Sequence, residues 1–193
     1  SKLKKKNIEF IEGDFFEKEP NIELEKIDIV ISNIPYNLSS KIIEWLAINK
    51  KEAVLCMQKE FIDHMLAKNG SKKYSKLSVY AQLSFSMTRL MDVPKGNFRP
   101  IPKVDSAIIY MKPKSNAPSK EELLIIGLIM QHKKKVLRNA IIDSAKQLKL
   151  EKDEAISLAE KMEKSQERVF KMSPEELLKV ANEVLSILAK MNS

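Results

Sequence analysis

An α/β domain followed by a small all-helical domain is the fold class that this sequence predicts, and three observations predict it. Up to Met111, short apolar runs alternate with amphipathic stretches of helical period, the pattern of a doubly wound sheet. Pro113–Pro118, PKSNAP, is a linker by composition. Beyond it every periodic signal is helical. The domains are therefore read as residues 1–113 and 114–193.

Asn7–Asp14, NIEFIEGD, reads as a strand with Ile8, Phe10 and Ile11 apolar and Gly13-Asp14 as its turn. That places Asp14 at a strand's carboxyl end. Asp28–Ser39, DIVISNIPYNLS, is the stretch around which the chain is organised. Ile29, Val30 and Ile31 form a continuous apolar run, as expected of a strand covered on both faces. Pro35 cannot extend it, having no N–H for the ladder. Ser39 or Ser40 is expected to cap a helix over Lys41–Ile48, with Ile42, Ile43 and Leu46 on one face. Glu52–Met57 is a further apolar strand, in which Cys56 reads as a core thiol. A helix carrying Phe61, Ile62, Met65 and Leu66 follows.

Lys68–Lys76, KNGSKKYSK, carries four lysines and no acid, and reads either as a phosphate-contacting loop or as a solvated turn. Leu77–Val93 reads as a helix passing into a strand at Phe85–Val93. Val93–Ser106 is a stiff basic loop, with Pro94, Pro100 and Pro102 around Phe98, Arg99 and Lys103. Ala107–Met111 is the closing strand. In the helical part, Ser119–Glu122 is a capping box before Leu123–Met130. Lys133, Lys134, Lys135 and Arg138 beside Val136, Leu137, Ala140 and Ile141 predict an amphipathic basic helix, facing either nucleic acid or solvent. A short helix spans Ala155–Met162. Ser173–Glu176 is a second capping box, opening a last helix over Glu175–Met191.

The 193 residues include 44% hydrophobic and 31% charged side chains, an ordinary globular composition, with no run approaching the ~20 apolar residues of a membrane span. The single cysteine makes an internal disulfide impossible and suits a reducing cytoplasm. Two histidines without Cys or acidic partners at ligand spacing argue against a metal site. The net charge of +8 points to a polyanionic partner, nucleic acid ahead of an acidic membrane.

Asn33-Ile34-Pro35-Tyr36 sits at the carboxyl end of a strand, where open α/β sheets bind ligands. A nucleobase amine is a poor nucleophile, because its lone pair is delocalised into the ring. The Asn33 amide oxygen and a backbone carbonyl at Ile34 or Pro35 can each accept one amine N–H, which aims the lone pair at an electrophile. Tyr36 offers a flat face for stacking. Such a tetrad also fits a plain strand-end turn with a tyrosine. Asp14 suits an adenine amino group or a ribose hydroxyl, and equally an ordinary turn.

Several segments together resemble one family, the small-subunit ribosomal RNA adenine dimethyltransferases. They are EGD at Glu12–Asp14, DIVISNIPYNLSS at Asp28–Ser40, MQKEF at Met57–Phe61, SKKYSKLSVYAQ at Ser71–Gln82, NFRPIPKVDSAI at Asn97–Ile108 and KKVLRNAI at Lys134–Ile141. The resemblance implies a Rossmann-like class I methyltransferase sheet, and transfer of methyl groups from S-adenosylmethionine to two adjacent adenines in the 3′-terminal hairpin of small-subunit rRNA. It implies that Asp14 and Asn33 contact the cofactor. Asn33 would orient the amine, Pro35 (or Ile34) would lend a carbonyl, and Tyr36 and Phe98 would hold the base. The implied partner is the small ribosomal subunit, engaged by a cytoplasmic monomer through the helical domain. The basic residues Lys72, Lys73, Arg99, Lys103, Lys133, Lys134 and Arg138 are the candidate RNA contacts.

Ser1–Lys6 contains neither the glycine-rich turn nor the acidic residue with which that family opens. The expectation is a truncated sheet, short by roughly 60 residues at about 30 per βαβ unit. Two alternatives stay open at this stage. One is another adenine amino-methyltransferase acting on DNA or on large-subunit rRNA. The other is a non-catalytic RNA-binding or ribosome-assembly module.

Overall fold

The computed structural model describes residues 11–18 and 23–191. Most of the predicted strand Asn7–Asp14 lies outside the described residues. Its described end, residues 11–14, is not a strand. Asp14 instead precedes a single helical turn, α1 (Phe15–Lys18). Its carboxylate accepts the Phe16 amide at 2.8 Å, and its carbonyl accepts the Lys18 amide at 3.1 Å. An Asp here satisfies helix-start donors that would otherwise lack partners.

The strands are β1 (Ile29–Asn33), β2 (Glu52–Gln58), β3 (Phe85–Val93) and β4 (Ser106–Pro113), in the spatial order β1-β2-β4-β3. β1 and β2 are parallel, whereas β4 runs antiparallel to both β2 and β3. The α/β class holds, with a mixed sheet. The parallel pair is joined by α2 (Ser39–Asn49), a short crossover helix. Ser39 is the first helical residue and is buried, so neither serine caps this helix; Leu38 stands at the N-cap without a side-chain bond. α3 (Lys59–Met65) leaves the end of β2, and Leu66 lies beyond it, exposed.

β2 and β4 alternate in burial. Ala53, Leu55, Met57, Ala107, Ile109 and Met111 face the core, against Ile43 and Leu46 of α2. Glu52, Val54, Cys56, Ile108 and Tyr110 occupy the opposite face and are only half-buried. This corrects two expectations. Cys56 lies on the more open face, away from the core. Among the described residues β1 is the outermost strand and is not covered on both faces, with Ile31 75% exposed. Along a strand, successive side chains must point to opposite faces, so an apolar run does not by itself require two covers.

α4 (Lys76–Ser84) passes into β3 with no intervening loop, as the sequence predicts. The helices that follow are α5 (Lys120–Gln131), α6 (Leu137–Asp143), α7 (Ala145–Leu148), α8 (Lys152–Glu160) and α9 (Pro174–Met191). Both capping boxes form. Ser119 Oγ accepts the Glu122 amide at 3.2 Å, and Ser173 Oγ accepts the Glu176 amide at 3.2 Å. The basic helix does not form as predicted. Residues 132–135 make a turn, and α6 starts only at Leu137. The lysines are held by backbone partners there: the Leu137 amide donates to Glu167 O, and the Lys133 carbonyl accepts the Phe170 amide.

α4 carries the helical part. Gly127 of α5 faces it so closely that a Cβ would stand 2.6 Å from the Tyr80 hydroxyl, which donates to the Leu123 carbonyl. Gly127→Ala therefore overpacks the crossing and breaks that bond. The expected loss is about 1–3 kcal/mol, reduced by up to ~1 kcal/mol of helix propensity. Thermal denaturation should show it as a fall of the midpoint by several degrees.

Candidate active site

The register explains why distant sequence segments meet. Asn33 pairs with Cys56, and Gln58 and Val93 both pair with Ser106, so the ends of β1, β2 and β3 and the start of β4 share one edge of the sheet. The NIPY tetrad and the twelve-residue connection 94–105 both leave from that edge. A connection of this length is unusual in a compact fold and commonly functional.

Ile34 fixes the tetrad. Its side chain is 2% exposed, and its amide donates to Cys56 O at 3.2 Å, one step beyond the ladder. Pro35 then turns the chain out into a 3-10 turn over Tyr36–Leu38. Leu38 donates to Pro35 O at 2.9 Å, whereas the Ile34 carbonyl accepts nothing from a described residue. Of the two backbone acceptors left open by the sequence, Ile34 is thus the freer. The Asn33 side chain is exposed and has no hydrogen-bond partner among the described residues.

Asn33, Ile34, Pro35, Tyr36 and Phe98 line one open cavity of about 300 Å³. The four residues singled out for chemistry therefore converge, although Phe98 stands more than sixty positions from the tetrad in sequence. Tyr36 is 40% exposed, and its hydroxyl lies 3.4 Å from that of Ser106, a long and weak contact. Ser106, 1% exposed, ends the connection that bears Phe98. The sequence offered no signal for it beyond a serine before a strand.

Asp14 is not among the walls of this cavity. It is exposed, beside two aromatics that anchor its turn to α2. Phe15 packs edge-on to Trp45 at 5.0 Å, Phe16 edge-on to Phe15 at 5.2 Å, and Lys41 Nζ lies 5.9 Å from the Phe16 ring. α2 thus connects the Asp14 turn to the tetrad that precedes it.

The basic candidates separate into engaged and free groups. Lys133 donates to Tyr74 O at 2.5 Å, Arg138 pairs with Glu160 at 3.3 Å, and Lys73 lies 3.9–4.0 Å from Glu60 and Asp63. Arg99 donates to its own loop at Gly96 O and Phe98 O. Lys72, Lys103 and Lys134 are exposed and have no ion pair with a described residue. Residues 68–73 of the Lys68–Lys76 loop are exposed, and the loop is also tied to the helical part. Gly70, at φ +78°, donates to Phe170 O at 2.7 Å, and the buried Tyr74 hydroxyl to Met172 O at 3.0 Å. Burial pushes the Tyr74 phenol well above its usual range, and Glu175 and Glu176 add to this. Among the described residues no cluster of metal-binding side chains occurs and no helix is long and apolar enough to cross a membrane.

The family model "Ribosomal RNA adenine dimethylase" matches residues 1–183. The chain is 40% identical over 147 residues to a ribosomal RNA small subunit methyltransferase A of Borrelia garinii, covering 74% of this chain and 52% of that protein. It is 34% identical over 182 residues to a probable ribosomal RNA small subunit methyltransferase A of Thermococcus kodakarensis, covering 90% and 63%. A crystal structure of a dimethyladenosine transferase from Plasmodium falciparum superimposes with a TM-score of 0.69 at 26% identity, over 83% of this chain and 68% of that one. The chain thus spans about half to two thirds of these relatives.

Proposed function

Because this chain belongs to the ribosomal RNA adenine dimethylase family, we propose that it serves S-adenosylmethionine-dependent dimethylation of two adjacent adenines in the 3′-terminal hairpin of small-subunit rRNA. The observation that carries this reading is the shared cavity of Asn33, Ile34, Pro35, Tyr36 and Phe98, which brings two aromatic side chains together with an amide that has no hydrogen-bond partner among the described residues. A splayed adenine fits such a site, since single-stranded bases are read by stacking and by bonds to their edges.

The Asn33 amide oxygen and the Ile34 carbonyl accept the two amine N–H bonds. This holds the nitrogen lone pair away from the ring and stabilises positive charge as the new N–C bond forms. Pro35 keeps the Ile34 carbonyl presented by fixing φ at −56°. Tyr36 and Phe98 hold the base plane. The proton released from the amine passes to solvent at this open site, so no general base is assigned.

The donor set suits the cofactor. Asp14 retains a carboxylate oxygen that the Phe16 amide does not use, and the Asn33 amide is unpaired among the described residues. Those two residues would hold S-adenosylmethionine, which supplies an activated methyl group when bound. The helices of residues 114–193 would form an rRNA-recognition domain, docked through the Lys68–Lys76 loop. The protein would act in the cytoplasm as a monomer.

The test is transfer of labelled methyl groups from S-adenosylmethionine to small subunits lacking the modification, with duplex DNA as the competing acceptor. Tyr36→Ala is expected to cost about 1–3 kcal/mol, the worth of one base–aromatic stack, or roughly 5- to 150-fold. Tyr36→Phe keeps the ring, loses only the long contact to Ser106, and should stay within about threefold. Equal damage from both variants overturns stacking, and preferential labelling of DNA overturns the rRNA assignment.

A further inference from the structure

A second cavity, of about 350 Å³, lies on the same connection and is lined by Lys59, Glu60, Lys95, Lys103, Val104 and Asp105. Its charges are not equivalent. Lys59 is bound to Asp92 at 2.9 Å, and its hydrogen bond, with a second from Arg89, holds the Asp92 carboxyl below the usual carboxylate range. Glu60 lies 3.9 Å from Lys73. Asp105 is turned to the loop itself. Its Oδ1 accepts the Lys95 amide at 2.9 Å, and its carbonyl accepts the Lys59 amide at 3.1 Å. These two bonds close the base of the loop and fix it to the start of α3. The Lys95 and Lys103 ammonium groups are left without a hydrogen-bond or ion-pair partner among the described residues. Phe98 follows Lys95 by one 3-10 turn, its amide donating to Lys95 O at 3.2 Å. One closed loop therefore presents an aromatic to the first cavity and two unpaired cations to the second.

We propose that Lys95 and Lys103 form a phosphodiester-binding subsite that takes the single-stranded RNA backbone immediately beside the adenine held by Tyr36 and Phe98. The identity of the polymer rests on the function proposed above; the subsite rests on the loop. A stacking aromatic flanked by cations that track a backbone is how proteins hold single strands. The loop's fixed base supplies the register between base and phosphate. Point-charge lysines suit this role, because they meet a phosphate without demanding one orientation.

The experiment is binding of a short fluorescein-labelled single-stranded RNA to the chain by anisotropy across a salt series, with 2-aminopurine at the target adenine as a second signal. Lys95→Gln/Lys103→Gln should weaken binding and lower the slope of log affinity against log salt by about 0.7–1.4, one counterion-release increment per phosphate contact on a single strand. The 2-aminopurine quench at saturation should persist. Lys26→Gln/Lys112→Gln, exposed lysines at the opposite end of the strands from both cavities, is the charge-matched control and should leave the slope unchanged. Phe98→Ala should lose the quench and keep the slope. An unchanged slope in the Lys95/Lys103 variant overturns the subsite, as does an equal fall in the control pair or full displacement by millimolar inorganic phosphate. No binding by the unaltered chain at low salt also overturns it. A lowered slope with no quench in the unaltered chain leaves the subsite standing and overturns the adenine reading instead.

Discussion

Asn33→Ala is expected to lower the rate of methyl transfer by about 10²–10³-fold, the effect of removing one preorganised hydrogen-bonding group from a developing charge, or about 2.7–4 kcal/mol. The loss should fall in kcat rather than in KM, because the amide's contact strengthens as the amine nitrogen becomes positive. The substitution leaves the fold alone. Asn33 ends β1, its side chain is exposed, and no described residue bonds it, so stability should change by no more than about 0.5 kcal/mol. Asn33→Asp keeps an acceptor oxygen at the same place and should retain more activity than the alanine variant. Steady-state kinetics of the three proteins on unmethylated small subunits, beside their thermal melts, is the measurement. Unchanged turnover in Asn33→Ala would remove Asn33 from the chemistry, and a matching loss of stability would make its role structural.

Phe85→Ala should be the most destabilising of the substitutions considered, by about 3–5 kcal/mol. Phe85 stands where α4 becomes β3 without a loop. Its backbone has already turned to φ −129° and ψ 145°, while its amide still donates to Ala81 O in the last helical turn. Its ring is 2% exposed, within the core that sheet and helices share. Across the ladder it opposes Pro113, next to Lys114, whose amide donates to Ser84 O at 2.9 Å. Truncation therefore leaves a cavity at the point where both parts of the chain join, and little can collapse to fill it. Against a typical total of 5–15 kcal/mol, that loss is visible as a large drop of the urea midpoint at unchanged slope. Phe85→Leu keeps much of the buried volume and should cost clearly less. A small effect from Phe85→Ala would mean that the junction repacks.

The alternation of strands and helices, the passage from helix to strand at Phe85, and both capping boxes were legible from residue patterns. Each is a local property: period, proline placement, or a serine three residues before a glutamate. The site was half legible. The tetrad and Phe98 were identified from motifs, but their convergence depends on the antiparallel placement of β4, which no local pattern encodes. The errors had the same origin. The lysines at 133–135 fit a helical wheel, yet hydrogen bonds to residues 167–170 held them in a turn. The loop at Lys68–Lys76 is exposed over residues 68–73, as a solvated turn would be, and only its ties through Tyr74 and Gly70 to Met172 and Phe170, about a hundred positions away, lay beyond local pattern. The run Ile29–Ile31 suggested two covers, yet a run of three cannot tell an edge strand from a central one.

By itself, then, the sequence determined most element types, the family and the candidate tetrad, because these follow from short-range stereochemistry and from motifs that local residue patterns carry. Only the tertiary structure decided which cations are free, which carbonyl of the tetrad is available, and that one loop serves two adjacent cavities. Those depend on pairings between residues far apart in the chain, where the competition of each polar group for a partner is settled by packing and not by its neighbours in sequence.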